Sequence, residues 1–274
     1  MTFQFLIDVH LQLLINTIMK STKLLIFILI ASVIISCSSD NNNKGNDFTN
    51  FNSQICNTIT GPTAAYWDYA NGVPPPFNEV PILSNPGSQF IHSQQPYLGL
   101  IIPQGYTAFE DQNPQTLPLG VNVIRNDNAA VWRYVPLASF PNNFSVNDIL
   151  ATEINGMFNF YGFNGTNFEV LCQNNPPPTI ELGIKRTFSS RLIRFGNFTG
   201  LVWVSVVQVE GLPTLSVSSS VSSGPTNEFN NLAMDVFLPL SFQLLVNESG
   251  TLSDRDGDGV PDVYDSEPDN PNVH

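Results

Sequence analysis

Short apolar runs separated by turn residues fill the middle of the chain, roughly from residue 56 to residue 247. β-branched and aromatic side chains dominate these runs, while Asn, Gly and Pro separate them, which is the pattern of consecutive short strands. The runs cover residues 97–102, 121–125, 129–135, 158–163, 167–172, 179–185, 200–210, 213–221 and 234–246. The pattern therefore predicts an antiparallel, strand-rich body.

The strongest strand signal lies at residues 200–210, where Val202, Val204 and Val206 recur at every second position. Because successive side chains of a strand point to opposite faces, these three valines share one face of the predicted sheet. A strand with such an apolar face is buried on that side, so a second layer of the protein is expected to cover it.

One helix is predicted between Ser145 and Gly156. Ser145 is a suitable N-cap, Asp148 follows three residues later, and Gly156 ends the pattern. The apolar stripe of this helix consists of Ile149, Leu150 and Ile154. A β-hairpin is predicted directly afterwards, over residues 160–168, because an Asn-Gly pair at 164–165 favours a turn with positive φ.

A positively charged segment followed by an apolar run marks the N-terminal region. Lys20 and Lys23 precede residues 24–35, an uninterrupted apolar run that ends two residues before Cys37. A dozen apolar residues in a helix span about 18 Å, less than the roughly 30 Å of a bilayer core, so the run indicates a secretory signal and not a permanent membrane helix. Met19 is the expected start of translation.

The residues around the first cysteine resemble the lipobox of bacterial lipoproteins. The matching residues are Ile34-Ile35-Ser36-Cys37, with Ile34 in place of the family's usual Leu. The resemblance implies that the Cys37 thiol is diacylated and becomes the mature N-terminus, and Ser38 after it is typical of lipoproteins sent to the outer membrane. The alternative is an ordinary cleavable signal with an incidental cysteine. The expected location is the bacterial cell envelope, anchored by lipid.

The net charge of the chain argues against one class of partner. The chain carries 10 Lys and Arg against 23 Asp and Glu, a formal net charge of −13, which argues against nucleic acid as a partner.

Of the three cysteines, Cys56 and Cys172 remain once Cys37 is acylated. In an oxidising envelope this pair is expected to form a disulfide, with two separate buried thiols as the alternative.

The most specific chemistry lies near the C-terminus, where acidic residues alternate along a short stretch that includes Gly259. This glycine permits the sharp bend that a calcium loop needs. The predicted ligands are the carboxylates of Asp254, Asp256, Asp258, Asp262 and Asp265 and the carbonyl of Val260. Because calcium takes about six to eight oxygen ligands, this clustering predicts a calcium site, with a solvated acidic tail as the alternative.

The spacing is similar to that of a thrombospondin type 3 repeat. Residues 254–265 match its pattern Asp-x-Asp-x-Asp-Gly-x-x-Asp-x-x-Asp, and Asn270-Pro271 follows as the family's Asn-Pro segment. The resemblance covers about twenty residues and implies a calcium-binding module. The family's usual Cys is absent, with Glu267 close to its place, so the family's disulfide cannot form.

These signals divide the chain into four regions. They are a signal region at 1–36, a lipidated flexible tether at 37–55, a β-rich globular domain at 56–250 and a calcium-binding tail at 251–274. The predicted fold class is mainly β, an antiparallel β-sandwich or jelly-roll-like body with one short helix, plus the C-terminal calcium-loop tail. A proline run at 176–178 leaves open whether the body is one domain or two.

The expected function is that of a calcium-binding, lipid-anchored envelope protein with a structural, adhesive or binding role. Downstream of the signal region the only histidines are His92 and His274, and no familiar catalytic motif is found, so an enzyme is not expected. The alternative is a surface glycan-binding or glycan-processing lipoprotein, with the rings of Tyr66, Trp67 and Tyr69 stacking on sugars; those rings could instead pack in the core. The expected partners are the membrane, through the lipid, and a glycan or an envelope protein.

Overall fold

The structure is a computed structural model that describes residues 46–73, 81–93, 99–110, 120–246, Arg255, Glu267 and 269–272. All of them belong to one compact unit, Gly45–His274. No helix within these ranges is long and apolar enough to cross a membrane. The signal region, Cys37 and the predicted calcium ligands lie outside the described residues.

An eight-stranded antiparallel sheet forms the centre of the body, and a two-stranded antiparallel sheet accompanies it. The strands are β1 (Pro86–Ile91), β2 (Gly99–Pro103), β3 (Tyr106–Glu110), β4 (Val121–Arg125), β5 (Val131–Pro141), β6 (Phe168–Asn174), β7 (Thr179–Glu181), β8 (Ile184–Phe195), β9 (Phe198–Val209) and β10 (Thr214–Pro225). The large sheet has the order β3-β4-β5-β10-β9-β8-β6, and β7 also pairs with β8. Strands β1 and β2 form the small sheet.

Helices lie before, between and after the strands. They are α1 (Gly61–Ala70), α2 (Val146–Phe160), α3 (Phe229–Leu232), a π-helical turn (Ala233–Phe237) and α4 (Leu238–Val246). A capping box starts α2: the Asp148 N–H donates to Ser145 Oγ over 3.2 Å, and the Ser145 N–H donates to the Asp148 carboxylate over 2.8 Å. Two otherwise unpaired amides of the first turn are thereby satisfied.

Strand β9 shows that the large sheet is buried on both faces. Val202, Val204 and Val206 belong to one apolar cluster, while Leu201 and Trp203 contact a second cluster on the opposite face. The predicted common face of the three valines is confirmed. Because both faces carry apolar side chains, each face requires its own covering layer.

Helix α2 covers the first face. Its side chains Ile149, Leu150, Met157 and Phe158 share an apolar cluster with Phe195 of β8 and with the valines of β9. The rings of Phe158 and Phe195 lie 4.8 Å apart, centroid to centroid. The helix therefore holds its place through its buried stripe, which the sequence predicted in part.

The opposite face is covered by α1, the C-terminal helices and the small sheet. Tyr66, Trp67, Leu100, Trp132 and Phe237 are buried in this second cluster. Gln243 of α4 joins the layers: its Oε1 accepts from the Ile101 N–H over 2.7 Å, and its Nε2 donates to the Ile101 carbonyl over 3.2 Å. A side-chain amide thus satisfies the buried backbone of β2, which an apolar residue could not do.

The mainly β, antiparallel fold class predicted from the sequence is confirmed. The expectation of one short helix was wrong, because α1 and the C-terminal helical segment are also present. The hairpin predicted over residues 160–168 is not formed, since α2 continues to Phe160 and β6 begins only at Phe168. Met157 and Phe158 extend the buried stripe of α2, so packing overrides the strand preference of the aromatic run.

The strand predicted over residues 234–246 was also wrong, because this stretch is helical. Its side chains are apolar on nearly every side, so the pattern shows no helical period. Residues 46–55, assigned to the tether by the sequence, pack on the body. Phe48 is buried, and the Gly61 N–H donates to the Phe51 carbonyl over 2.6 Å.

Candidate functional site

The described part of the C-terminal tail is closed by an ion pair. Arg255 Nη1 lies 3.1 Å from Asp269 Oδ1, and both side chains are exposed. Next to this pair, the Asn270 side-chain amide donates to the Glu267 carboxylate over 2.8 Å, and its backbone N–H donates to the Glu267 carbonyl over 2.9 Å. The ion pair joins two residues that flank Asp256, Asp258, Val260, Asp262 and Asp265 in the sequence.

The predicted ligands themselves lie outside the described residues, as does the lipidated Cys37. They are Asp254, Asp256, Asp258, Val260, Asp262 and Asp265. Within the described ranges, no group of three or more His, Cys, Asp or Glu side chains is arranged to hold a metal ion. The calcium site therefore remains a prediction from the spacing of the aspartates.

The structure joins Cys56 to Cys172 by a disulfide, with 6.0 Å between the two Cα atoms. Thr58 Oγ1 donates to the Leu171 carbonyl over 3.3 Å beside the bridge. Leu171 and Cys172 belong to the edge strand β6, so the bridge fixes the chain preceding α1 against the edge of the large sheet.

The aromatic residues proposed for glycan binding lie in α1 and not in a loop. Tyr66 and Trp67 are fully buried in the second cluster, and Tyr69 packs against that cluster from a partly buried position. The Tyr66 hydroxyl hydrogen-bonds Ser222 Oγ over 2.7 Å, while burial raises the pKa of both tyrosines. The glycan interpretation of Tyr66 and Trp67 is therefore corrected to core packing, because a sugar cannot reach their faces.

His92 is buried and lies near a carboxylate. Its Nδ1 is 3.9 Å from Glu110 Oε1, while the Ser93 N–H and Oγ donate to the same carboxylate over 2.5 and 2.7 Å. The two Ser93 hydrogen bonds lower the pKa of Glu110. Because Ser93 is bonded to the acid, its hydroxyl is not activated as a nucleophile by the histidine.

Two other carboxylates near one another in sequence have separate structural roles. Asp148 belongs to the capping box of α2, where the hydrogen bonds from Ser145 lower its pKa. Glu153 is buried and accepts from Ser219 Oγ over 2.8 Å, with Arg133 Nη1 at 3.8 Å. Each carboxylate is committed to a contact within the fold.

A cleft of about 620 Å³ opens at the end of the large sheet where β7 joins β8 and β9 joins β10. Lys185, Gln208 and Glu210 supply polar groups to its lining, and Ile180 and Leu212 supply apolar side chains. Lys185 forms no ion pair with any residue that the structure describes. Sequence reasoning missed this cleft, although an apolar residue beside a glycine at 182–183 and at 211–212 marks both turns.

The same end of the sheet exposes several large apolar side chains. Leu182 is 101% exposed, Ile180 70%, Leu212 50% and Val209 40%. We call these four residues the apolar tip. Phe144 is also exposed. It lies near the tip because Asn142, two residues before it, donates from Nδ2 to the Leu212 carbonyl over 3.3 Å.

Comparison with known proteins identifies no family. No family model matches the chain, and no curated protein matches it. Among solved structures, LpqN of Mycobacterium tuberculosis, described as involved in cell envelope biogenesis, is 11% identical, with a TM-score of 0.27 over 56% of this chain and 83% of that chain. The Ran-binding protein Mog1p of Saccharomyces cerevisiae is 14% identical, with a TM-score of 0.26 over 54% of this chain and 85% of that chain. Similarities this weak carry no functional argument.

Proposed function

We propose that the protein is a calcium-binding, lipid-anchored component of the bacterial outer membrane, with a structural, adhesive or binding role and no enzymatic activity. The observation that carries the proposal is the spacing of carboxylates from Asp254 to Asp265. Five carboxylates and one carbonyl at these offsets match the oxygen donors that calcium takes from a single loop.

The ion pair between Arg255 and Asp269 supports this proposal. Residues 254–269 hold seven acidic side chains and one basic side chain, so they repel one another without a cation. The contact between Arg255 and Asp269 joins the second and the last residue of this stretch. A loop closed in this way loses less conformational entropy when calcium binds.

Two of the three aromatic residues on which the glycan alternative depends are buried in the core. Tyr66 and Trp67 cannot stack on a sugar from within α1.

Calcium titration of the purified chain tests the metal site. We expect a dissociation constant of about 10⁻⁴ to 10⁻³ M, as in other extracellular modules, and slower amide exchange in residues 251–272 when calcium is present. Asp256→Asn removes a charged ligand and should weaken binding by about tenfold or more. Glu169→Gln, on the exposed ion pair with Arg194, is the matched control and should leave calcium binding unchanged.

An unchanged tail in saturating calcium would contradict the metal site, as would equal effects of Asp256→Asn and Glu169→Gln.

The lipid anchor has its own test, mass spectrometry of the mature protein. We expect an acylated Cys37 as the first residue. A mature chain that begins elsewhere, or carries a free Cys37 thiol, would overturn the anchor and leave the calcium site untouched.

A further inference from the structure

The turn between β7 and β8 carries an apolar residue where a polar one or glycine is favoured. Leu182 and Gly183 both have positive φ, 49° and 74°, and they connect Glu181 directly to Ile184. A two-residue hairpin turn of this kind favours Asn, Asp or Gly at its first position, because other side chains crowd the backbone there. Leu182 therefore costs the fold about 1 kcal/mol of backbone strain while its side chain is fully exposed.

Leu182 does not stand alone. Ile180 and Val209 flank it on the neighbouring strands, and Leu212 occupies the adjacent turn between β9 and β10. Hairpin turns project from the sheet, so neither turn can fold back to bury its leucine in the core. The apolar tip is thus a water-exposed surface made of four large side chains, of which Ile180, Val209 and Leu212 also line the cleft.

The charges around the apolar tip balance. Glu181 and Glu210 are offset by Lys185 and Arg186, and Arg186 Nη1 lies 4.0 Å from Glu181 Oε2. The whole chain, in contrast, has a formal net charge of −13. This end of the sheet is accordingly a locally neutral surface on an acidic protein, and it can approach a zwitterionic surface without electrostatic repulsion.

We propose that the apolar tip is a second membrane contact, which inserts Leu182 and Leu212 into the interface of a zwitterionic phospholipid bilayer. Lys185 and Glu210 line the cleft beside the tip, a pair that suits a head group with one phosphate and one ammonium. The exposed leucines supply apolar area, and the charged pair supplies head-group contacts. This division is typical of protein segments that lie in a membrane interface.

The choice of a bilayer as the occupant rests on the proposed lipid anchor. About nine residues separate Cys37 from Asn46, so the chain between them spans at most about 30 Å. Such a tether keeps the body close to the bilayer at a high effective concentration. A weak apolar contact that the unacylated chain populates only in part then becomes more fully populated at the membrane.

The apolar tip lies far from the end of the body where α1 begins. The N-terminal end of α1 lies near the start of α3, because Thr63 Oγ1 donates to Asn230 Oδ1 over 2.6 Å, and α3 follows the end of β10. The apolar tip lies at the opposite end of β9 and β10, each of 12 residues, about 40 Å away. Contact at both ends would lay the long strands along the membrane plane.

Vesicle binding of a chain without the acyl group tests the tip separately from the anchor. The probe is a vesicle of phosphatidylethanolamine and phosphatidylcholine, mixed with the chain from residue 37 onward carrying Cys37→Ser. We expect measurable co-sedimentation and a loss of about tenfold in partitioning for Leu182→Asn. The same variant should unfold at a higher temperature than its parent, since Asn suits the turn. Weaker binding by a more stable variant would exclude unfolding as the cause of the loss.

Phe109→Asn is the matched control. Phe109 is 43% exposed on β3, at the far edge of the large sheet, so its loss removes similar apolar area without touching the tip. Phe109→Asn should bind vesicles like the parent. Brominated acyl chains should quench the fluorescence of Leu182→Trp and not of Phe109→Trp. Added anionic lipid should weaken binding, because the body carries net negative charge.

Failure of the unacylated chain to bind vesicles would overturn the proposal, as would equal losses for Leu182→Asn and Phe109→Asn. A dimer in solution that Leu182→Asn converts to a monomer, with vesicle binding unchanged, would assign the tip to a second copy of the chain instead. Because Cys37→Ser removes the acylation site, none of these outcomes depends on the anchor.

Discussion

Glycine at position 200 allows α2 to approach the large sheet closely. A Cβ atom built at Gly200 would overlap the sulfur of Met157, and it would lie 3.3 Å from the Cβ of Ser223. Met157 is buried within the cluster beneath α2. At the scale of single residues, the absence of one methyl group therefore sets how deeply this helix packs.

Gly200→Ala should destabilise the protein by about 1–3 kcal/mol, because the Met157 side chain must move to make room for the new methyl group. Chemical denaturation measures the change in the free energy of unfolding. Met157→Ala alone should cost about 2–5 kcal/mol through the cavity it leaves. The double variant should lose less than the sum of the two single losses, since the smaller side chain leaves space for the new methyl group. A double variant whose loss equals the sum of the single losses would show that the two residues do not compete.

At the scale of elements, α2 contains a glycine that neither packing nor backbone conformation requires. Gly156 lies in the helix interior, is exposed, and has no atom within 4 Å of the position that a Cβ would take. Its φ is also not positive, so alanine fits the same backbone. A glycine at such a site weakens a helix through the entropy of the unfolded chain.

Gly156→Ala should therefore stabilise the protein by about 0.5–1 kcal/mol. Gly162 just after the helix is the control, because it also has open space around its Cβ position but has a φ of 63°. Gly162→Ala should destabilise the protein, since alanine is strained in the left-handed region. Thermal unfolding of both variants checks the prediction, and an equal response from the two glycines would contradict it.

The elements that the sequence predicted well are those with a clear period. The alternating valines of β9 and the capped start of α2 rest on local rules, and the structure contains both. The C-terminal helix was missed because its own side chains are apolar on nearly every side, so its sequence shows no amphipathic pattern. Pro239 lies inside the continuous helical segment, at the second residue of α4, and has no N–H to donate there.

The π-helical turn before α4 also follows from that proline. Pro239 cannot donate to the Asp235 carbonyl, so the regular ladder is interrupted there. The Leu238 N–H donates instead to the Ala233 carbonyl, five residues back. Single-sequence patterns do not reveal such a change of helix type, because it depends on which neighbouring groups compete for each carbonyl.

Of the predicted site residues, the sequence identified some correctly and misjudged others. The pairing of Cys56 with Cys172 was accessible from the count of cysteines and the expected compartment, whereas the burial of Trp67 was not, since the same residues can lie in a loop or a core helix. The apolar tip escaped notice because Leu182 breaks the turn rule that sequence reasoning relies on. Departures from local rules of this kind are expected at functional positions.

At the scale of the whole molecule, the disulfide connects distant parts of the chain. The two cysteines are 116 residues apart, and the bridge ties the segment before α1 to the edge strand β6. A lipid anchor at Cys37 would pull on this segment first. The bridge would then pass that force directly to the large sheet, so that α1 does not have to unfold under load.

Replacing both cysteines by Ser should lower the free energy of unfolding by about 4–5 kcal/mol on the chain-entropy account, because a long loop in the unfolded chain is released. Hydrogen exchange should show the largest loss of protection in residues 46–73, which then depend on packing and hydrogen bonds alone. Thr58→Ala is the control for local packing: it removes the hydrogen bond to Leu171 but keeps the bridge, and should cost about 1 kcal/mol. If the double Cys→Ser variant loses no more stability than Thr58→Ala, the bridge does not constrain the unfolded chain.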